Sequence, residues 1–212
     1  MPGKPRQSNR GGTPEAQKER AAATRTAILA VARKLFGENG YHATGTSEIV
    51  AQSRLTRGAL YHHFSGKEDL FEAVFRMVAE ELVTRANASV APLSGDLWQQ
   101  VQEAFRQYLH LIAENEAFRR ILLIDGPAVL GWAQWRALQS EFIASGAAQA
   151  LQMLMDRGLV EQRPAMPLAC MIQAALGDAA MTIAHAPAGS SAAEEAMAAF
   201  QFVLRGIRRP EA

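Results

Sequence analysis

The chain has a single cysteine, Cys170, in 212 residues, so no intrachain disulfide can form and an oxidising compartment is not implied. It has no run of 18 apolar residues, and no apolar stretch follows the polar opening MPGKPRQSNRGG, so neither a membrane span nor a secretory signal is read; a cytoplasmic location is the expectation. Valine and isoleucine never alternate with polar residues over a strand's length, so a sheet is not expected. No His-Glu-x-x-His pattern and no glycine-rich phosphate loop occurs, so the motifs of metalloproteases and nucleotide binders are missing, and no metal or cofactor is expected. Hydrophobic residues make up 49% and charged residues 20%, close to the globular average, which excludes both wholesale disorder and a coiled-coil rod.

The net charge of +1 conceals an asymmetry. Residues 1–67 carry eleven lysines and arginines against four glutamates, a net of +7, and the remainder carries −6. The N-terminal third is thus a candidate polyanion binder, although charge alone is equally compatible with a solvated basic segment. Residues 1–13 are rich in glycine, proline and arginine and read as a disordered basic arm, either tracking phosphates or a minor groove or having no fixed role.

Everything that follows reads as helix. Thr13-Pro14-Glu15 is a helix start, with a cap, a proline at the first position and an early acid. Ile28, Leu29, Ala32, Leu35 and Phe36 then recur at spacings of three and four, and Gly37 and Gly40 are expected to end that helix. A short helix is predicted over about 46–53, burying Ile49 and Val50, and another over about 57–63, capped by Thr56. Ser65 and Glu68 are spaced as a capping box for a long helix through Leu70, Phe71, Val74, Val78 and Leu82. Pro92 with Ser94-Gly95 closes it. Further helices are predicted at about 96–114, 116–130, 132–157, 167–186 and 192–208, about nine in all.

The helix over 57–63 carries the chemistry. At about 100° per residue, Leu60, His63 and Phe64 face one way, and Arg57, Gly58, Tyr61 and His62 face the other. One short helix thereby presents a cation, a glycine, a phenol and an imidazole outward. Arginine can fork onto a guanine edge or a phosphate, glycine permits close approach, and the phenol and imidazole can donate to phosphate oxygens. Two short helices joined by a tight turn can seat this face in a major groove. An enzymatic reading from His62, His63, Ser65 and Asp69 fails on geometry, because adjacent histidines on a helix diverge by about 100°.

Through Thr24-Arg25-x-x-Ile28-Leu29-x-x-Ala32-x-x-Leu35-Phe36-x-x-x-Gly40-Tyr41-x-x-Thr44, Ile49, and Arg57-Gly58-Ala59-Leu60-Tyr61-His62-His63-Phe64-x-x-Lys67-x-x-Leu70, the chain resembles the TetR/AcrR repressors. The resemblance covers about residues 24–71. It implies an all-α protein with a three-helix helix-turn-helix DNA-binding domain at 14–66 and a helical ligand-binding and dimerisation domain at 67–212. By resemblance Thr44 and Tyr61 hold the DNA backbone, Arg57 and Gly58 meet base edges, and Lys67 meets a phosphate at the start of the fourth helix. The residues expected at DNA are Arg25, Thr44, Thr46, Arg54, Thr56, Arg57, Gly58, Tyr61, His62 and Lys67. Two positions depart from the family pattern. Ser53-Arg54 stands in the turn where a small residue and glycine are common, and Thr46 replaces a commonly aliphatic residue. Arginine suits a left-handed turn poorly, so modest strain is expected there.

In the body, Phe105, Tyr108, Leu109, Ile121, Leu122, Trp132, Trp135, Met153 and Met181 are expected around a cavity for an apolar or aromatic effector; plain core packing is the alternative for any one of them. Asp125, inside ILLIDGPAVL, either anchors a ligand group or caps a helix restarting at Pro127. The alanine-rich helices at about 167–186 and 192–208 are, by resemblance, the homodimer interface. The expected function is a repressor that binds a palindromic operator as a dimer and is released by a small molecule. An activator or a non-specific DNA binder of the same fold stays open.

Overall fold

Thr13 accepts a hydrogen bond from the Ala16 amide and Pro14 occupies the first position of α1, Pro14–Asn39. The computed structural model describes residues 13–88, 96–187 and 190–210; of the arm expected at residues 1–13 all but Thr13, which caps α1, lies outside them, as does the stop at Pro92 and Ser94-Gly95. Gly37 does not end α1 as expected. The helix passes through it, and the position is kept free of a Cβ because one there would sit 2.8 Å from the Ala117 Cβ. The stop falls at Gly40, whose φ of 83° glycine accepts without strain.

Helix α2, Thr46–Ser53, and α3, Arg57–His63, follow. Thr56 caps α3 by accepting the Ala59 amide at 3.1 Å. At the start of α4, Lys67–Ala88, the amide and hydroxyl of Ser65 both donate to Asp69 Oδ2. The carboxylate in that turn is therefore Asp69 rather than the expected Glu68. Helix α5, Leu97–Glu114, starts on Asp96, which accepts the Gln99 amide at 2.7 Å.

The expected interruption at Asp125-Gly126-Pro127 is absent. Glu116–Phe118, a π-helical stretch Arg119–Asp125 and Gly126–Leu130 run on continuously as α6. Likewise Trp132–Gln139, a second π-helical stretch Ser140–Ala144 and Ser145–Asp156 form α7. Such wide turns arise where a helix must admit an extra residue per turn, and they concentrate at functional sites. Helices α8, Ala165–His185, and α9, Ala192–Arg205, complete the chain. There is no strand among the described residues. A single antiparallel bridge, Val160 to Arg208, pins the segment after α9 to the end of α7, helped by the Arg209 amide donating to the Leu159 carbonyl at 2.9 Å.

Ile28, Leu29, Ala32, Leu35 and Phe36 of α1 pack with Ile49, Leu60 and Phe64 to hold α1–α3 together, and Leu70, Phe71, Val74 and Phe75 of α4 join them to the body in one continuous core. Helix α4 therefore belongs to both regions. Its first turns complete the head and its later ones, through Val78 and Leu82, pack in the body.

Candidate nucleic-acid interface and body cavity

The turn between α2 and α3 is closed by the Leu55 amide donating to Val50 and the Arg54 amide to Ala51, both at 3.3 Å. Arg54 takes φ 56° and ψ 31°, and it is the one non-glycine residue with positive φ among the described residues. A left-handed arginine costs on the order of 1 kcal/mol, so the turn keeps its shape at the expense of some strain.

Leu60 and Phe64 are buried and fix α3 to the head, which leaves Arg57, Gly58, Tyr61 and His62 exposed on the opposite side. Tyr61 is 45% exposed, high for a tyrosine. Hydrogen bonds with Thr46 and then Arg57 hold its phenol below the usual range, and the Arg57 guanidinium lies 5.9 Å from its ring centre. Thr46 at the start of α2 is thereby drawn into the α3 face. Arg25 is exposed and stacks over the Phe64 ring at 5.2 Å, while Arg54 and Thr56 lie exposed at the turn. Thr44 is placed otherwise. It is 0% exposed, and its hydroxyl is directed to the Gly40 and Leu35 carbonyls at 2.8 and 3.1 Å, so its side chain ties α1 to the approach to α2 and offers no outward donor.

Lys67 is half-buried. Its ammonium stands 4.1 Å from the Tyr41 ring centre; burial lowers its pKa and the charge of Asp125 opposes that. Tyr41 in turn packs edge-on against Phe71 and at a shallow tilt against Phe36. Burial, and then Glu68, push its phenol upward. Asp125 makes no cap bond and is not among the residues lining the body cavity described below. Its Oδ2 accepts the Tyr41 amide at 2.8 Å, across 84 residues of sequence.

The body holds a cavity of about 320 Å³ between the end of α4, α5, α7 and α8. Of the nine residues expected around it, Phe105, Tyr108 and Met153 line it. Leu109, Ile121 and Leu122 are buried in the core instead, and Trp135 is buried with its indole N–H donating to the Leu122 carbonyl at 2.7 Å. Trp132 is 64% exposed and stacked on Trp135. Met181 packs against the core away from the cavity. The space exists because Ala104, Gly146, Ala147 and Ala150 leave it open, and sequence reasoning that looked for large side chains passed over them. A useful signal was available in the small-residue run Ala144-Ser145-Gly146-Ala147-Ala148.

Among the described lining residues none is charged; the polar ones are Asn87, Gln100 and Tyr108. Tyr108 is 5% exposed, and burial drives its phenol far above the ordinary value. Tyr108 is one of the residues lining the cavity, and among the described residues no side chain or backbone group hydrogen-bonds its hydroxyl.

Two family models match the chain: "Bacterial regulatory proteins, tetR family" over residues 28–74 and "Tetracyclin repressor-like, C-terminal domain" over residues 98–207. The chain belongs to the TetR family. This TetR-family chain is 34% identical to a TetR-family transcriptional regulator from Pectobacterium atrosepticum, whose crystal structure it matches with a TM-score of 0.81 over 92% of this chain and 99% of that one. The structure of RolR in complex with resorcinol shares the fold, with a TM-score of 0.70, 17% identity and 90% of each chain covered. Among sequence relatives, the Transposon Tn10 TetC protein of Escherichia coli is 28% identical over 131 residues, 60% of this chain and 63% of that protein. The transcriptional regulator QacR of Staphylococcus aureus is 57% identical over 44 residues, 21% of this chain and 23% of its own length. The chain thus spans less than two thirds of these sequence relatives. Its relatives are transcriptional regulators.

Proposed function

We propose that the protein is a cytoplasmic, ligand-responsive repressor that binds a palindromic operator as a homodimer and lets go when a small neutral molecule fills the body cavity. The observation that carries this reading is the outward face of α3, with Arg57, Gly58, Tyr61 and His62 exposed on a helix anchored by Leu60 and Phe64. Arg57 and Gly58 are the base readers. Tyr61 with Thr46, and Lys67 with Arg25, Arg54 and Thr56, meet the phosphate backbone and set the register.

A dimer is supported by α8 and α9. They pack on each other, yet Met171 is 71% and Phe202 74% exposed, with Met166 and Val203 also largely open. Apolar exposure on that scale along adjacent helices suits a second copy of the chain. In the DNA-bound dimer the two α3 helices would then stand about one helical turn apart, roughly 34–36 Å.

The effector is uncharged, apolar or aromatic, and carries one group that hydrogen-bonds the Tyr108 hydroxyl. A charged ligand would be buried against a lining with no countercharge among its described residues, at a prohibitive desolvation cost. RolR, of the same fold, is solved with resorcinol, which makes uncharged phenols the first panel to screen. By linkage, an effector that favours badly spaced heads must lower operator affinity. Selection of sites from a random duplex pool at physiological salt tests the reading. A palindrome with discrimination of about a thousandfold over other duplexes is expected; near-equal affinity for all duplexes would replace the repressor with a non-specific binder.

A further inference from the structure

Asp125 sits where no cap and no ligand needs it. A carboxylate in a largely apolar helix is costly unless it is bonded, and its bond reaches the amide of Tyr41 in the head. The adjoining residues of α6 make the same reach. Arg120 donates through Nη1 to the Glu38 carbonyl at 3.1 Å, steadied by Glu116 at 3.0 Å. At Gly40 an added Cβ would meet Asp125 Oδ2 at 3.4 Å and Arg120 Nη1 at 3.6 Å. The last turn of α1 and the loop after it are thus gripped by the π-helical stretch of α6.

The grip continues into both functional regions. On the head side, Tyr41 packs on Phe36 of α1 and Phe71 of α4 and lies beneath Lys67, so a shift of its backbone moves the first turn of α4 and the head together. On the body side, Gly126 follows Asp125 into a slot where a Cβ would come within 2.9 Å of Phe75, 3.1 Å of the Ile121 carbonyl and 3.1 Å of Trp135. The Trp135 indole bonds Leu122 of the same π-helical stretch. Trp135 belongs to α7, whose own π-helical stretch supplies Phe142 and Ile143 to the cavity wall.

We infer that Asp125 is a positioning residue: its bond to the Tyr41 amide transmits the state of the cavity, through Trp135 and the π-helical stretch of α6, to the end of α1 and the DNA-binding head. The inference rests on the reading of the cavity as the effector site. A second link joins α4 to α7, through Arg76 to Glu141 at 2.9 Å and Gln134 to Glu72 at 2.7 Å, and it supplies the control.

The cavity is filled from within by Ala104→Leu or, from the other wall, by Ala150→Leu, in the full chain. Operator affinity is read by anisotropy on the duplex that selection yields. Each fill is expected to change the dissociation constant by roughly tenfold or more. With Asp125→Ala present, the filled and unfilled proteins are expected to differ by less than about twofold, because the coupling has been cut. Asp125→Asn keeps an acceptor oxygen for the Tyr41 amide and is expected to restore most of the response, whereas Glu141→Gln leaves it in place. A residue that only stabilised the fold would lower the melting temperature without changing the filled-to-unfilled ratio. An undiminished ratio in Asp125→Ala overturns the inference and leaves the cavity reading standing. If neither fill, in a folded dimer, changes operator affinity, the cavity reading fails and the inference fails with it.

Discussion

In the head, the side chains proposed to act point outward from a filled core; in the body, they point into a space that side chains leave empty. Leu60 and Phe64 are buried so that Arg57 and Tyr61 can be exposed, and each of the short elements carrying them is bounded by its own cap or turn. The cavity instead depends on residues too small to close it, Ala104, Gly146, Ala147 and Ala150. A surface that reads DNA is specified by what is present at particular positions, and a pocket by what is missing from several helices at once. The first tolerates little movement of its scaffold, while the second can tolerate exchange of one small or flexible group for another.

The sharpest way to break the comparison uses neighbours in α3. Leu60→Ala is expected to cost about 2–5 kcal/mol, the usual toll of a cavity in a packed core, and to abolish DNA binding because the helix loses its seat. Tyr61→Ala, one residue on, should change stability by less than about 0.5 kcal/mol while weakening binding to every duplex. Denaturant unfolding at fixed protomer concentration, beside anisotropy, separates the two. Equal destabilisation by both would mean that the exposed face of α3 also holds the fold.

Where head meets body, Gly126→Ala pushes a methyl toward Phe75, Trp135 and a backbone carbonyl. An overpacking cost of about 1–3 kcal/mol is expected, seen as a lower denaturation midpoint. No change would show that α6 is looser there than its neighbours imply. In the head alone, Arg54→Gly should stabilise by up to about 1 kcal/mol, since glycine accepts the left-handed turn. If Arg54 also meets a phosphate, the same variant binds DNA more weakly and with a shallower salt dependence, so stability and affinity move in opposite directions. The smallest effect belongs to the body. Tyr108→Phe removes a hydroxyl with no bonded neighbour among the described residues, and should leave unfolding within about 0.5 kcal/mol while weakening whatever uncharged phenol the screen retains. A larger loss of stability would assign that hydroxyl to the fold.

The same contrast explains how far the sequence could be read. The head was legible because its signals are local. Thr13 and Thr56 cap as their positions suggest, the face of α3 follows from helical periodicity, and the awkward Arg54 lies in the left-handed turn anticipated for it. The body helices were legible as elements, down to the α6 and α7 boundaries. Their π-helical stretches were not, because a wide turn is imposed by neighbours rather than by composition. Gly37 looked like a stop and is instead a contact with Ala117. Thr44 looked outward and is buried. Asp125 looked like a cap or a ligand anchor, and its partner lies 84 residues away, beyond any local pattern. Large side chains signalled a pocket, but Trp135, Ile121 and Leu122 fill the core and Trp132 faces solvent.

The central claim, that the outer face of α3 reads sequence while its flanks hold the backbone, is tested most directly by titrating Arg57→Ala and Lys67→Ala against the selected palindrome and its full set of single-base variants at one salt concentration. Arg57→Ala is expected to cost about 1–3 kcal/mol on the palindrome and to erase discrimination at one symmetric pair of positions, whereas Lys67→Ala lowers affinity for all the duplexes alike. A uniform loss in both, with the ranking of the base variants unchanged, would contradict base reading by Arg57 and with it the account of α3 as a recognition helix.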